Sequence, residues 1–157
     1  MEDLRGLFTE LGFDGVTSYV QSGNIVFNSS RSAKSGLRDS IQNKILAELG
    51  LDVTVLLRSH DDLTLVLRNN PFLGRTDNLA TLHVTFLADT PSAERVAELP
   101  LAQGTEELSA AGSEIYLFCP DGYGRSKFTN TVLERRLATS ATTRNWKTVI
   151  KLADMTA

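Results

Sequence analysis

Apolar residues along this chain change their spacing several times, and that alternation limits the folds open to it. Leu4, Leu7, Phe8 and Leu11 recur every three or four positions, as on one stripe of a helix, and Gly12 is placed to close it. The segments Ser18–Gln21 and Asn24–Phe27 alternate as strands, and the Ser22-Gly23 pair between them suits a tight primed turn. After a loop-like stretch at 31–36, Leu37, Ile41, Ile45 and Leu49 return to helical spacing, with Gly50 as the stop. Val53, Val55 and Leu57 then read as a strand, and Ser59 as the cap of a short helix ending before Asn70-Pro71.

The second half repeats the mixture. A strand is expected near Thr81–Leu87, and a helix opens at Thr90-Pro91 and ends before Pro100. Strands at Thr105–Ser109 and Glu114–Cys119 follow. After the Pro120-Asp121-Gly122 break come a helix from Ser126 to Leu137 and another from about Asn145. The fold class is therefore α+β. The element order matches two ferredoxin-like (βαββαβ) halves, residues 1–75 and 76–157, with the opening strand of the first half missing.

Charge singles out the C-terminal third. Between Tyr123 and Lys151 lie seven basic residues, namely Arg125, Lys127, Arg135, Arg136, Arg144, Lys147 and Lys151, against one acid, Glu134. The whole chain nevertheless carries a formal charge of −3. Such asymmetry points to an anionic partner, or to a basic surface paired with the protein's own acidic parts.

Two segments concentrate this charge where helices are expected to begin. Gly122-Tyr123-Gly124-Arg125-Ser126-Lys127 combines flexible backbone, a hydroxyl and two cations, a chemically sensible anion site. Its spacing fits neither a Walker loop nor a dinucleotide fingerprint. In Thr142-Thr143-Arg144-Asn145-Trp146-Lys147, Thr143 or Asn145 can cap the helix and Trp146 falls on its apolar stripe. Arg144 opposes the helix dipole there and is the residue least explained by packing. The anion-binding candidates are thus Gly124, Arg125, Ser126, Lys127, Thr143, Arg144, Asn145 and Lys147. Arg135 and Arg136 read as solvated-face residues.

Other chemistry is sparse. His60 and His83 have no metal-ligand spacing around them, and no nucleophile elbow or triad pattern accompanies them. Glu106-Glu107 reads as a solvated acidic pair. The single cysteine, Cys119, lies in an apolar run and reads as a buried small hydrophobe. It leaves no disulfide framework. No apolar run reaches the roughly 18 residues of a membrane span, so a cytoplasmic protein without membrane partners is expected.

Taken together, the Ser18–Phe27 hairpin, Asn70-Pro71-Phe72, Tyr123–Lys127 and Thr142–Thr148 resemble the bacterial domain-of-unknown-function 1697 family over nearly the whole chain. The resemblance implies two ferredoxin-like halves and no established activity, substrate or cofactor. Family members usually begin with a strand and a glycine-rich segment that this sequence lacks. An exposed sheet edge left by a missing strand would favour homo-oligomerisation.

The leading expectation is a binding protein that holds a phosphate-bearing ligand, nucleotide or nucleic acid, with no cofactor. The alternatives are a small enzyme acting on a phosphorylated metabolite, with Arg125, Lys127 and Arg144 as electrostatic stabilisers, and an assembly protein docking on an acidic partner.

Overall fold

The computed structural model describes residues 2–19, 23–29, 34–100 and 102–157. It has the expected α+β content and forms two compact units, residues 1–59 with 154–157 and residues 60–153.

In the first unit, α1 (Glu2–Glu10) and α2 (Lys34–Leu49) accompany an antiparallel hairpin of β1 (Asp14–Tyr19) and β2 (Asn24–Asn28). The helical stripes are buried where their spacing predicts, except at the end of α2, where Leu49 is exposed. Leu7, Phe8, Leu37, Ile41 and Ile45 are buried together with Phe13, and Phe13 and Phe27 stack with centroids 4.5 Å apart. The register pairs Tyr19 with Asn24, and the expected turn residue Ser22 lies outside the described residues.

The strand expected at Val53–Leu57 does not form a ladder among the described residues. Val55 and Leu57 still pack on the core, and the Val55 amide donates to Gln42 Oε1 at 2.8 Å. A side chain thus satisfies a donor that a neighbouring strand would otherwise accept from.

The second unit contains α3 (His60–Arg68), β3 (Leu82–Leu87), α4 (Ala93–Ala97), β4 (Ala102–Gln103), β5 (Glu106–Ala111), β6 (Glu114–Phe118), α5 (Asn130–Leu137), β7 (Ala141–Asn145) and most of α6 (Trp146–Met155). Its antiparallel sheet has the order β4-β5-β6-β3-β7. Without the two-residue β4, this is the ferredoxin-like order, with β3 and β6 central. On one face Leu87, Leu108, Ile115 and Leu117 pack with Leu133 and Leu137 of α5. On the other, the Tyr116 hydroxyl donates to the carbonyl of Val66 in α3 at 2.9 Å.

Several boundaries differ from those the sequence predicts, among them that of β1, which begins at Asp14 rather than Ser18. α4 is capped by Ser92, whose hydroxyl accepts from the Arg95 amide, so it starts beyond Thr90-Pro91. α5 starts at Asn130, because the Thr129 hydroxyl accepts from the Val132 amide and fixes the N-terminus there. Residues 141–145 form strand β7 rather than the approach to a helix.

Candidate functional site

The two charged segments have different local structures. Gly122 has φ of +92°, a backbone geometry that glycine adopts freely, and Tyr123–Arg125 then form a single 3-10 turn. Gly124, Arg125 and Lys127 are exposed, whereas Ser126 is buried. The Ser126 hydroxyl accepts from the Phe128 amide at 2.9 Å. The Lys127 amide donates at 3.0 Å to Oε1 of Glu106, a carboxylate only 8% exposed. An acid of the chain itself therefore occupies one of the amides available to an external anion.

Glu106 also receives the Cys119 thiol, with sulfur and Oε2 3.8 Å apart. Burial pushes that thiol up to about 11, a contact with Ser126 partly opposes the shift, and the Glu106 carboxylate adds to it. Cys119 is fully buried, as its apolar run implied, and stays protonated at neutral pH.

β7 separates the members of the other segment. Successive side chains of a strand point to opposite faces. Thr143 meets the Thr85 hydroxyl at 2.7 Å and donates to Asn130 Oδ1 at the start of α5. Arg144 is on the opposite face, where Nη1 donates to Thr142 Oγ1 at 2.9 Å and to the Thr143 carbonyl at 3.1 Å. Arg144 is half-buried, and burial holds its pKa below the usual arginine value. Asn145 Oδ1 accepts from the Thr148 amide, which realises the expected helix cap. Trp146 is 3% exposed and belongs to the core, while Lys147 is exposed on α6.

Lys127 instead meets two cations set aside in the sequence reading. A cleft of about 170 Å³ beside α5 has buried Leu99, Phe128 and Leu133 at its base and Lys127, Arg135 and Arg136 around it. Arg95 Nη1 donates to the Arg136 carbonyl at 3.3 Å and joins the end of α4 to that of α5. Among the described residues, none of the three cleft cations is engaged in an ion pair. The last turn of α5 is electrostatically favourable for Arg135 and Arg136.

Glu106 was also missed, although its sequence position carried a signal. It shares strand parity with Leu108 and Ala110, which marks it as inward-facing, whereas Glu107 faces outward to pair with Arg75. Among the described residues no group of histidine, cysteine and acidic side chains could hold a metal ion, and no helix is long and apolar enough to cross a membrane.

The chain is similar to a solved structure described as the conserved bacterial protein SP0830 from Streptococcus pneumoniae, with 27% identity and a TM-score of 0.78. That match covers 100% of this chain and 88% of the other. No curated protein matches. The family model described as a protein of unknown function (DUF1697) matches residues 1–116, and the chain belongs to that family.

Proposed function

We infer that the protein binds a phosphate-bearing ligand, a nucleotide, at the cleft formed by Lys127, Arg135 and Arg136. What supports this reading is the meeting of three cations, none in an ion pair among the described residues, over an apolar base. Exposed charge contacts contribute only about 0–1 kcal/mol each, so the cations alone would hold an inorganic anion weakly. An apolar base adds roughly 25 cal/mol per Å² of ligand surface covered. A ligand combining a phosphate with a flat, partly apolar body uses both features.

The cleft is small compared with the roughly 300–1,000 Å³ of pockets that enclose a drug-sized molecule. It takes one moiety of the ligand, and the remainder lies over the surface. This reading keeps Lys127 from the original candidates and adds Arg135 and Arg136. It gives no ligand role to Thr143, Arg144 or Asn145, whose contacts are internal.

The test is a calorimetric titration with AMP, inorganic phosphate and a short single-stranded oligonucleotide, repeated on K127A and R136A. AMP should bind more tightly than phosphate, and each variant should weaken it by roughly fivefold, the equivalent of about 1 kcal/mol. AMP binding that is undetectable, or equal in all three proteins, would overturn the assignment. Stronger oligonucleotide binding with a steep salt dependence would instead identify nucleic acid as the ligand.

A further inference from the structure

We propose that Glu106 is a positioning residue for this cleft, holding the segment that carries Lys127 and Phe128 in a binding-competent shape. The inference rests on the reading of the cleft as a nucleotide site. Glu106 lies at the start of β5, while the segment it holds lies between β6 and α5. Its contact with the Lys127 amide therefore joins two parts of the second unit that are 21 residues apart in sequence.

A carboxylate removed from water is costly unless its oxygens are hydrogen-bonded. The oxygens are used separately, one by the Lys127 amide and one by the Cys119 thiol. Among the described residues no cation pairs with Glu106, so the carboxylate acts here on backbone and thiol donors.

The consequence is a run of fixed amides through the cleft wall. Lys127 N is held by Glu106, Phe128 N by the Ser126 hydroxyl and Val132 N by the Thr129 hydroxyl. Phe128, 2% exposed, is anchored at the cleft base, and the Lys127 side chain remains exposed beside it. A loop pinned in advance loses less freedom when a ligand arrives, which is how an internal hydrogen bond can contribute to affinity.

Reach and charge can be tested separately. E106D keeps the charge but shortens the side chain, so the carboxylate no longer spans to the Lys127 amide. E106Q keeps the reach and one acceptor oxygen but loses the charge. AMP affinity and hydrogen exchange at the Lys127 amide are measured for both variants at a temperature where each is folded by circular dichroism. A positioning role gives E106D a loss of about fivefold in affinity and faster Lys127 exchange, with E106Q within about twofold of wild type.

The reverse order, with E106Q weak and E106D intact, assigns the effect to charge and overturns the proposal. Wild-type affinity in both variants, even with lowered melting temperatures, reduces Glu106 to a fold-stabilising residue and also overturns it. Failure of the cleft reading is a separate result, since AMP binding is then undetectable or left unchanged by K127A and R136A, while Lys127 amide exchange that E106D leaves at the wild-type rate overturns the role of Glu106 by itself.

Discussion

The hydroxyls of Thr85 and Thr143 lie 2.7 Å apart across the β3–β7 pair, and Thr143 donates its proton to Asn130 Oδ1. Thr85, which is fully buried, is therefore the donor to Thr143. Replacing Thr143 with valine removes that acceptor and strands a buried hydroxyl. T143V should cost about 1–3 kcal/mol, and T85V/T143V should recover part of that loss, because the buried Thr85 hydroxyl is gone and only the half-buried Asn130 Oδ1 is left without its donor. Urea denaturation of the two single variants and the double variant measures the cycle. A double variant less stable than T143V would exclude this account.

Arg144 gives the opposite expectation for binding and for stability. Its guanidinium is half-buried on the face of β7 away from Thr143 and donates to the Thr142 hydroxyl and the Thr143 carbonyl. R144A should lower the melting temperature through lost packing and hydrogen bonds, while AMP affinity stays within about twofold of wild type. R144K should be only partly restorative, since an ammonium does not reproduce the planar donor geometry. Loss of AMP binding in a folded R144A protein would return Arg144 to the ligand site.

The same strand shows where the sequence was informative and where it was not. Leu37, Ile41 and Ile45 declare α2 because a buried helix face repeats its apolar residues, and all three are buried. Thr142, Thr143, Arg144 and Asn145 have no such pattern. They become a strand by pairing with the exposed edge of β3, a non-local event that leaves no period in five polar-rich positions. The candidate site suffered similarly. Arg135 and Arg136 look solvated when read along α5, and only the approach of Leu99 and Lys127 makes them part of a cleft. Trp146, by contrast, was legible as core from its place on the α6 stripe. Ile150, an apolar residue one turn further along α6, is nevertheless 41% exposed.

His83 gives the fold a dependence on mildly acidic pH. Its ring stacks on Tyr123 at 4.9 Å, and its buried Nδ1 has no hydrogen-bond partner among the described residues. Burial lowers its pKa below the usual histidine value. The unfolded chain therefore takes up this proton first as pH falls. The stability contributed by neutral His83 is complete above the unfolded value near pH ~6.5 and is lost as pH drops below it. H83F removes the unsatisfied nitrogen and keeps an aromatic partner for Tyr123. Its stability should fall less than that of wild type between neutral pH and about pH 5, as read from urea midpoints. Identical pH profiles would sink this assignment.

Cys119 governs the alkaline side, with the sign reversed. Burial holds the folded thiol protonated up to about 11, whereas an unfolded cysteine ionises near pH ~8.5. As pH rises through that window, the unfolded chain loses a proton that the folded chain keeps, so stability is full below the window and declines across it. A difference of about 2.5 pH units corresponds to roughly 3 kcal/mol once the window has been crossed. C119A should flatten this decline, although it costs some stability at neutral pH by removing a fully buried side chain. The same burial predicts that DTNB at about pH 8 modifies the thiol only as fast as the protein opens. Denaturant-dependent labelling should therefore track unfolding. Rapid labelling of the folded protein, or an alkaline stability profile unchanged in C119A, would show that the thiol is neither sealed nor shifted in the way its surroundings require.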